Sequence, residues 1–163
     1  AVLNAASFAA CPPRVVGFTW GAEDLSADVG ALGNRDAEGR LEFTYELARS
    51  TCLLVAAAAQ VAAIDTVDTE IRDAVVVERN ARLSRRHGFA GKLAIHPSQV
   101  PAIHAAFAPS AGEIETAERV LDAFASAAGQ GAVSLDGRML DRPHLRQAER
   151  VLELAGRRDG SKE

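Results

Sequence analysis

Cysteine is scarce: two residues in 163, Cys11 and Cys52. They lack the spacing of a metal site and lie in unlike segments. Both are read as reduced packing residues of a cytosolic protein, with a metal or disulfide role as the minor option. Positive charge is not in excess either. Eighteen Lys and Arg against 22 Asp and Glu give a net charge of −4, which provides no basic surface for nucleic acid. The arginine-containing runs at 82–86 and 157–158 read as solvated helix faces and ends. Long apolar runs are missing: the longest alanine-rich one, 53–59, is far too short to span a bilayer. No signal peptide and no internal repeat is visible.

What is present is apolar and rich in alanine. Hydrophobic residues make up 48% of the chain, enough for one domain with a real core and against disorder. The alanine bias predicts closely packed helices.

The stretch V-V-G-F-T-W-G-A-E-D-L (15–25) organises the rest. Val15–Trp20 reads as a strand buried on both faces. Gly21 stops it, and Glu23, Asp24 and Asp28 follow. Acids at the carboxyl end of a buried parallel strand are where α/β enzymes keep metals and substrate anions. Mg²⁺ takes oxygen ligands and keeps several waters, so one or two protein carboxylates suffice. Asp24 is therefore a candidate Mg²⁺ ligand. The backbone N–H groups of Gly21, Ala22 and Glu23 could face a substrate carboxylate. The competing reading is that these acids cap a helical turn.

Around that stretch the chain alternates. Ala1–Ala10 reads as a small-residue helix without a capping residue, ended by Pro12-Pro13. Residues 21–40 read as a long polar loop, of the kind that often serves a substrate site. Leu41–Gln60 reads as a helix held by Phe43, Leu47, Leu54 and Val55. Val61–Val67 is a second buried strand with Asp65 and Asp68 near its end. A helix from Glu70 to His87 follows, capped by Asp68 or Thr69 and stopped by Gly88. Gly91–Ile95 is a third strand, ending at His96-Pro97. This order predicts parallel βαβ units with right-handed crossovers.

Past His96 the pattern changes. Ser98–Ala106 reads as a short helix. Ser110 and Glu113 form a capping box for a helix to Ala128. Gly129-Gln130-Gly131 reads as a hinge. Asp136-Gly137 marks a hairpin between 132–135 and 138–140. Asp141 stands at the N-cap of a last helix, Pro143–Ala155, and the tail from Gly156 is expected to fray. Spacing alone makes Asp141 a cap, His96 a satisfied polar residue at a strand end, and Lys92 the partner of a carboxylate. His87 and His104 receive no role.

Four stretches in this order carry a resemblance: G-F-T-W-G-A-E-D-L-S-A-D-V-G (17–30), A-A-I-D-T-V (62–67), G-F-A-G-K-L-A-I-H-P-S-Q-V (88–100) and G-A-V-S-L-D-G-R-M-L-D-R-P (131–143). Together they resemble the carboxyl-terminal part of the citrate lyase β-subunit-like family, among the HpcH/HpaI-type aldolases. The resemblance implies an α/β fold, a (β/α)8 TIM barrel of which this chain covers strands six to eight, plus an appended helical segment. On that reading residues 1–128 are the end of the barrel. Residues 129–163 are a hairpin and helix packing on a neighbouring subunit of a trimer or hexamer.

It further implies a Mg²⁺-dependent lyase that makes or breaks a C–C bond in a citryl, malyl or citramalyl thioester. The carrier is coenzyme A or an acyl carrier protein, and the partner product is an oxo acid. Asp24 matches the family's metal aspartate. Ala22, Glu23 and Asp24 match the stretch gripping the oxo-acid carboxylate. Ile95 and His96 match a segment near the thioester and pantetheine arm. Asp141 matches an aspartate that some members lend to a neighbour's active site, where it moves a proton at the thioester α-carbon.

A second metal ligand, a glutamate ending the family's fifth strand, and a substrate arginine are not in this sequence. Three strands cannot close a barrel, and Ala1 is not Met. The expectation is therefore a part of a longer protein, inactive and unstable alone. The rivals are a pyruvate-class aldolase on free acids and a non-catalytic degenerate barrel.

Overall fold

Each short apolar run in the first hundred residues is followed by a helical stretch long enough to cross back over a sheet, and the chain does so. The computed structural model describes residues 1–127 and 131–159, the last three as backbone. The strands β1 (Gly17–Thr19), β2 (Ala62–Asp65) and β3 (Gly91–Lys92) form a parallel sheet in that order. Gly17 pairs with Ala62, Thr19 with Ile64 and Asp65 with Lys92. Parallel neighbours need crossovers. Helices α1 (Ala22–Asp28) and α2 (Phe43–Ala58) connect β1 to β2, and α3 (Ala74–His87) connects β2 to β3.

Several expectations need correction. Val2–Ala10 forms tight 3-10 turns broken at Asn4, with none of its residues buried. β1 is not buried on both faces: Val16 is 82% exposed and Thr19 is exposed. The cause is position, because β1 is an edge of the sheet with a neighbour on one side only. In α2 the expected stripe is wrong. Phe43, Leu47 and Leu54 are exposed, while Tyr45, Ala48 and Ala56 are buried, with Cys52 packed beside them. Ala48 and Ala56 on the inner stripe let the helix lie close to the sheet. α3 starts at Ala74 rather than Glu70. Its cap is Asp73, whose carboxylate accepts from Val75 and Val76 N–H at 2.9 and 3.2 Å. Gly88 ends it at φ 105°, the left-handed stop expected.

A 3-10 turn, Pro97–Gln99, leads into α4 (Val100–Phe107), which packs on α3 through Val77, Ala81, Ala102, Ile103 and Ala106. These elements belong to the first of two compact units, Ala1–Phe107 and Ala108–Glu163. The division lies ahead of the 128/129 boundary read from the glycine hinge.

In the second unit, α5 (Ala111–Ser126) opens with the predicted Ser110–Glu113 capping box. β4 (Ala132–Leu135) and β5 (Arg138–Asp141) form an antiparallel hairpin. Its turn residues Asp136 and Gly137 have φ of 50° and 75°, as a two-residue primed turn requires. α6 (Arg142–Asp159) runs through residues expected to fray. Its core joins Ala117, Val120 and Ala148. The hinge residues 128–130 and the tail 160–163 lie outside the described residues. No described helix is long and apolar enough to cross a membrane.

Candidate metal and substrate site

The site is built where β1 gives way to α1. Gly21 is the N-cap residue, with an ordinary extended backbone (φ −109°, ψ 109°). Its value is space. A Cβ placed there would collide with the Asp24 carboxylate Oδ2 and come within 3.2 Å of its Cγ. The carboxylate thus folds back over a position that only glycine leaves open. Ala22 and Ser26, 3% and 8% exposed, press α1 onto the body, and Leu25 packs against the core. Glu23 and Asp24 stand exposed in the first turn, where the helix dipole favours negative charge. The predicted polar loop 21–40 therefore begins as a helix, as the competing reading had it.

The two acids differ in their partners. Glu23 Oε1 accepts from Asn34 Nδ2 at 2.8 Å and so ties down the loop after α1; Asn34 is 6% exposed. Asp24 enters no ion pair among the described residues. The Ala22 N–H does not face open space: it donates to Thr66 Oγ1 at 3.2 Å.

Beneath this turn lies a buried polar node that sequence reasoning missed. Asp65, the last residue of β2, is 2% exposed. It accepts from Trp20 Nε1 (2.8 Å), Arg49 Nη2 (2.6 Å) and Nε (2.9 Å), Ser84 Oγ (2.6 Å) and the Thr66 N–H (2.9 Å). Burial by itself pushes its carboxyl pKa up. The hydrogen bonds from Arg49, Ser84 and Trp20 and the Arg49 charge outweigh that and hold it below 3.8. Arg49 also lies over the Phe89 ring, 4.8 Å from its centre, and contacts His87 Nδ1, a partner the sequence did not suggest. A signal was present. An acid inside a buried strand demands a partner, and Arg49 is the one basic residue in α2.

Lys92 does pair with a carboxylate, as expected: its Nζ lies 3.8 Å from Asp68 Oδ2 and donates to the Thr66 carbonyl at 2.8 Å. Burial lowers its pKa, partly offset by Asp68 and Asp65. Asp68 also accepts from Asn80 at 2.7 Å.

His96 caps the 3-10 turn after β3, its Nδ1 accepting from Ser98 N–H at 3.2 Å. That contact leaves Nε2 as the ring atom free for another partner. The exposed Ile95 and His96 are held from behind by Gln99, 1% exposed. Gln99 accepts from the Ile95 N–H at 2.9 Å and donates to the Asp68 and Glu70 carbonyls at 2.8 and 2.9 Å. Asp141 belongs to the second unit. There its Oδ1 lies 2.6 Å from His144 Nδ1 just before α6 begins, a contact with a side chain and not with the helix backbone.

For Mg²⁺ this turn offers the exposed Asp24 carboxylate, which enters no ion pair among the described residues, beside Glu23, which Asn34 holds. That suits an ion keeping most of its waters or shared with a substrate. No group of three His, Cys, Asp or Glu among the described residues forms a closed cage. The residues present fit an open magnesium site with a single protein ligand from this chain.

An α/β sheet with acids beyond its carboxyl ends defines a class of enzyme frameworks. Within that class, residues 1–97 match the HpcH/HpaI aldolase/citrate lyase model, and the chain belongs to that family. It is 40% identical over 152 residues to a citrate lyase subunit beta-like protein of Mycobacterium tuberculosis, covering 93% of this chain and 55% of the relative. It is 35% identical over 138 residues to the mitochondrial citramalyl-CoA lyase of Homo sapiens, covering 83% of this chain and 39% of the relative. The crystal structure of the protein CitE from M. tuberculosis with magnesium, acetoacetate and coenzyme A superposes with a TM-score of 0.84. The two are 39% identical, covering 95% of this chain and 57% of that one. The chain spans about half the length of the curated relatives it matches.

Proposed function

We propose that this chain is the strand-six-to-eight portion of a (β/α)8 barrel, with residues 129–163 appended. The whole protein would be a Mg²⁺-dependent carbon–carbon lyase acting on a β-hydroxyacyl thioester of the citryl, malyl or citramalyl type. The products are an oxo acid and an acyl thioester of coenzyme A or an acyl carrier protein. A homotrimer or hexamer in the cytoplasm, with the appended segment on a neighbouring subunit, completes the reading.

The observation that carries the proposal is the Asp24 carboxylate: exposed, without an ion pair among the described residues, and seated over Gly21 at the carboxyl end of β1. Asp24 would hold Mg²⁺, which when bound supplies Lewis-acid polarisation of an oxo acid's carbonyl. The backbone from Ala22 to Asp24 would receive the acid's carboxylate, with Ala22 setting the start of the turn and the next two N–H groups facing the ligand. Their partial positive charge stabilises an anion without requiring a side chain. Ile95 and His96, braced by Gln99, would line the thioester arm, His96 offering Nε2. Asp141 would move the proton at the thioester α-carbon, with His144 orienting its carboxylate.

Asp24→Asn tests the reading. Calorimetric Mg²⁺ binding and Mg²⁺-dependent thioester cleavage should both fall to background. Retained cleavage would remove the metal role.

A further inference from the structure

Gly21 is flanked by two residues that reach the same place. On one side the Trp20 indole N–H donates to Asp65 Oδ1 at 2.8 Å. On the other the Ala22 N–H donates to Thr66 Oγ1 at 3.2 Å. Asp65 and Thr66 are consecutive, so one dipeptide at the end of β2 clamps both sides of the glycine over which Asp24 folds. The dipeptide is itself immobilised. Thr66 N–H donates to Asp65 Oδ1 at 2.9 Å, Lys92 Nζ donates to the Thr66 carbonyl at 2.8 Å, and Arg49 and Ser84 fix Asp65 from two helices. Thr66 is 3% exposed.

An interior hydroxyl that accepts a helix's first N–H fixes where that turn begins. Everything in the turn moves with it, and Asp24 is two residues on. We propose that Thr66 is a positioning residue for the cation: its hydroxyl sets the first turn of α1 and thereby the place of the Asp24 carboxylate. The inference rests on the magnesium reading of Asp24.

Thr66→Val removes the acceptor and keeps the shape; Thr66→Ala removes it with less crowding; Thr66→Ser keeps it. The measurement is the Mg²⁺ dissociation constant by titration calorimetry on the complete protein, beside thermal melting. Residues that orient metal ligands from behind typically change metal affinity by about tenfold or more. Thr66→Val and Thr66→Ala should weaken Mg²⁺ binding by about that factor, and Thr66→Ser should restore it. If Thr66→Val does not fold, Thr66→Ala decides. A lowered melting temperature with an unchanged Mg²⁺ constant would overturn the proposal, since a purely structural residue behaves that way. Failure of Thr66→Ser to rescue would overturn it too. Asp24→Asn, run in parallel, separates the two layers. If it leaves Mg²⁺ binding intact, the magnesium reading itself fails; if it abolishes binding while Thr66→Ala matches wild type, only the positioning inference does.

Discussion

Residue by residue, the acids of this chain divide by what surrounds them. Asp65 is enclosed by donors from Trp20, Arg49, Ser84 and Thr66, whereas Asp24 enters no ion pair among the described residues. The first arrangement holds a frame and the second leaves lone pairs for a ligand. Gly21 is what leaves room for Asp24 in this position, because a Cβ at residue 21 would collide with the Asp24 carboxylate. Gly21→Ala should therefore cost little in stability, as the colliding atom is the end of a movable side chain and the backbone there suits any residue. It should nonetheless weaken Mg²⁺ binding by at least about tenfold. A melting curve near wild type with a right-shifted Mg²⁺ titration is the expected pair of results. An unshifted titration would show that the seat over Gly21 is not the binding position.

Among elements, α3 shows how local chemistry and tertiary context share control. Asp73 caps it through two backbone N–H groups, and Gly88 closes it in the left-handed region. Asp73→Ala should lower stability by about 1 kcal/mol in denaturant titrations, leaving Mg²⁺ binding unchanged. The sequence made the Gly88 stop legible, because a glycine after a basic last turn has few other meanings. It misplaced the start, because Asp68, Thr69 and Asp73 are all capable caps and only packing chooses between them. Asp68 is instead taken by Lys92 and Asn80. The same limit governs α2. The helix offers two stripes, and the sheet accepted the one of Tyr45, Ala48 and Ala56 while Phe43, Leu47 and Leu54 stay exposed. The hairpin at Asp136-Gly137 and the Ser110 capping box were readable because their signals are local. The Asp65 node was not, since Trp20, Arg49 and Ser84 converge from 45, 16 and 19 residues away.

At the scale of the molecule, that node joins the sheet to two of the helices packed with it, and it makes the first unit sensitive to acid. Its sign follows from the depressed pKa. The stabilisation from Asp65 is fully present above the ordinary carboxylate range and is lost as pH falls through the still lower folded value. Denaturant midpoints measured from neutral pH down to about pH 2 should therefore drop below the ordinary aspartate pKa of about 3.9. Asp65→Asn should flatten that drop and cost about 3–5 kcal/mol at neutral pH by leaving Arg49 buried without a countercharge. A variant with the same acid profile as wild type would remove Asp65 from the account.

The sheet has a second property at this scale: β1 pairs with β2 on one side, and Val16 beside it is 82% exposed. Strand direction then acts as a compass. Any segment that pairs with the flank of β1 facing away from β2, in the same sense as β2, must finish beside Trp20 and Gly21, delivering its final side chain to the doorstep of Asp24. One that ran the opposite way would deliver its opening residue there instead.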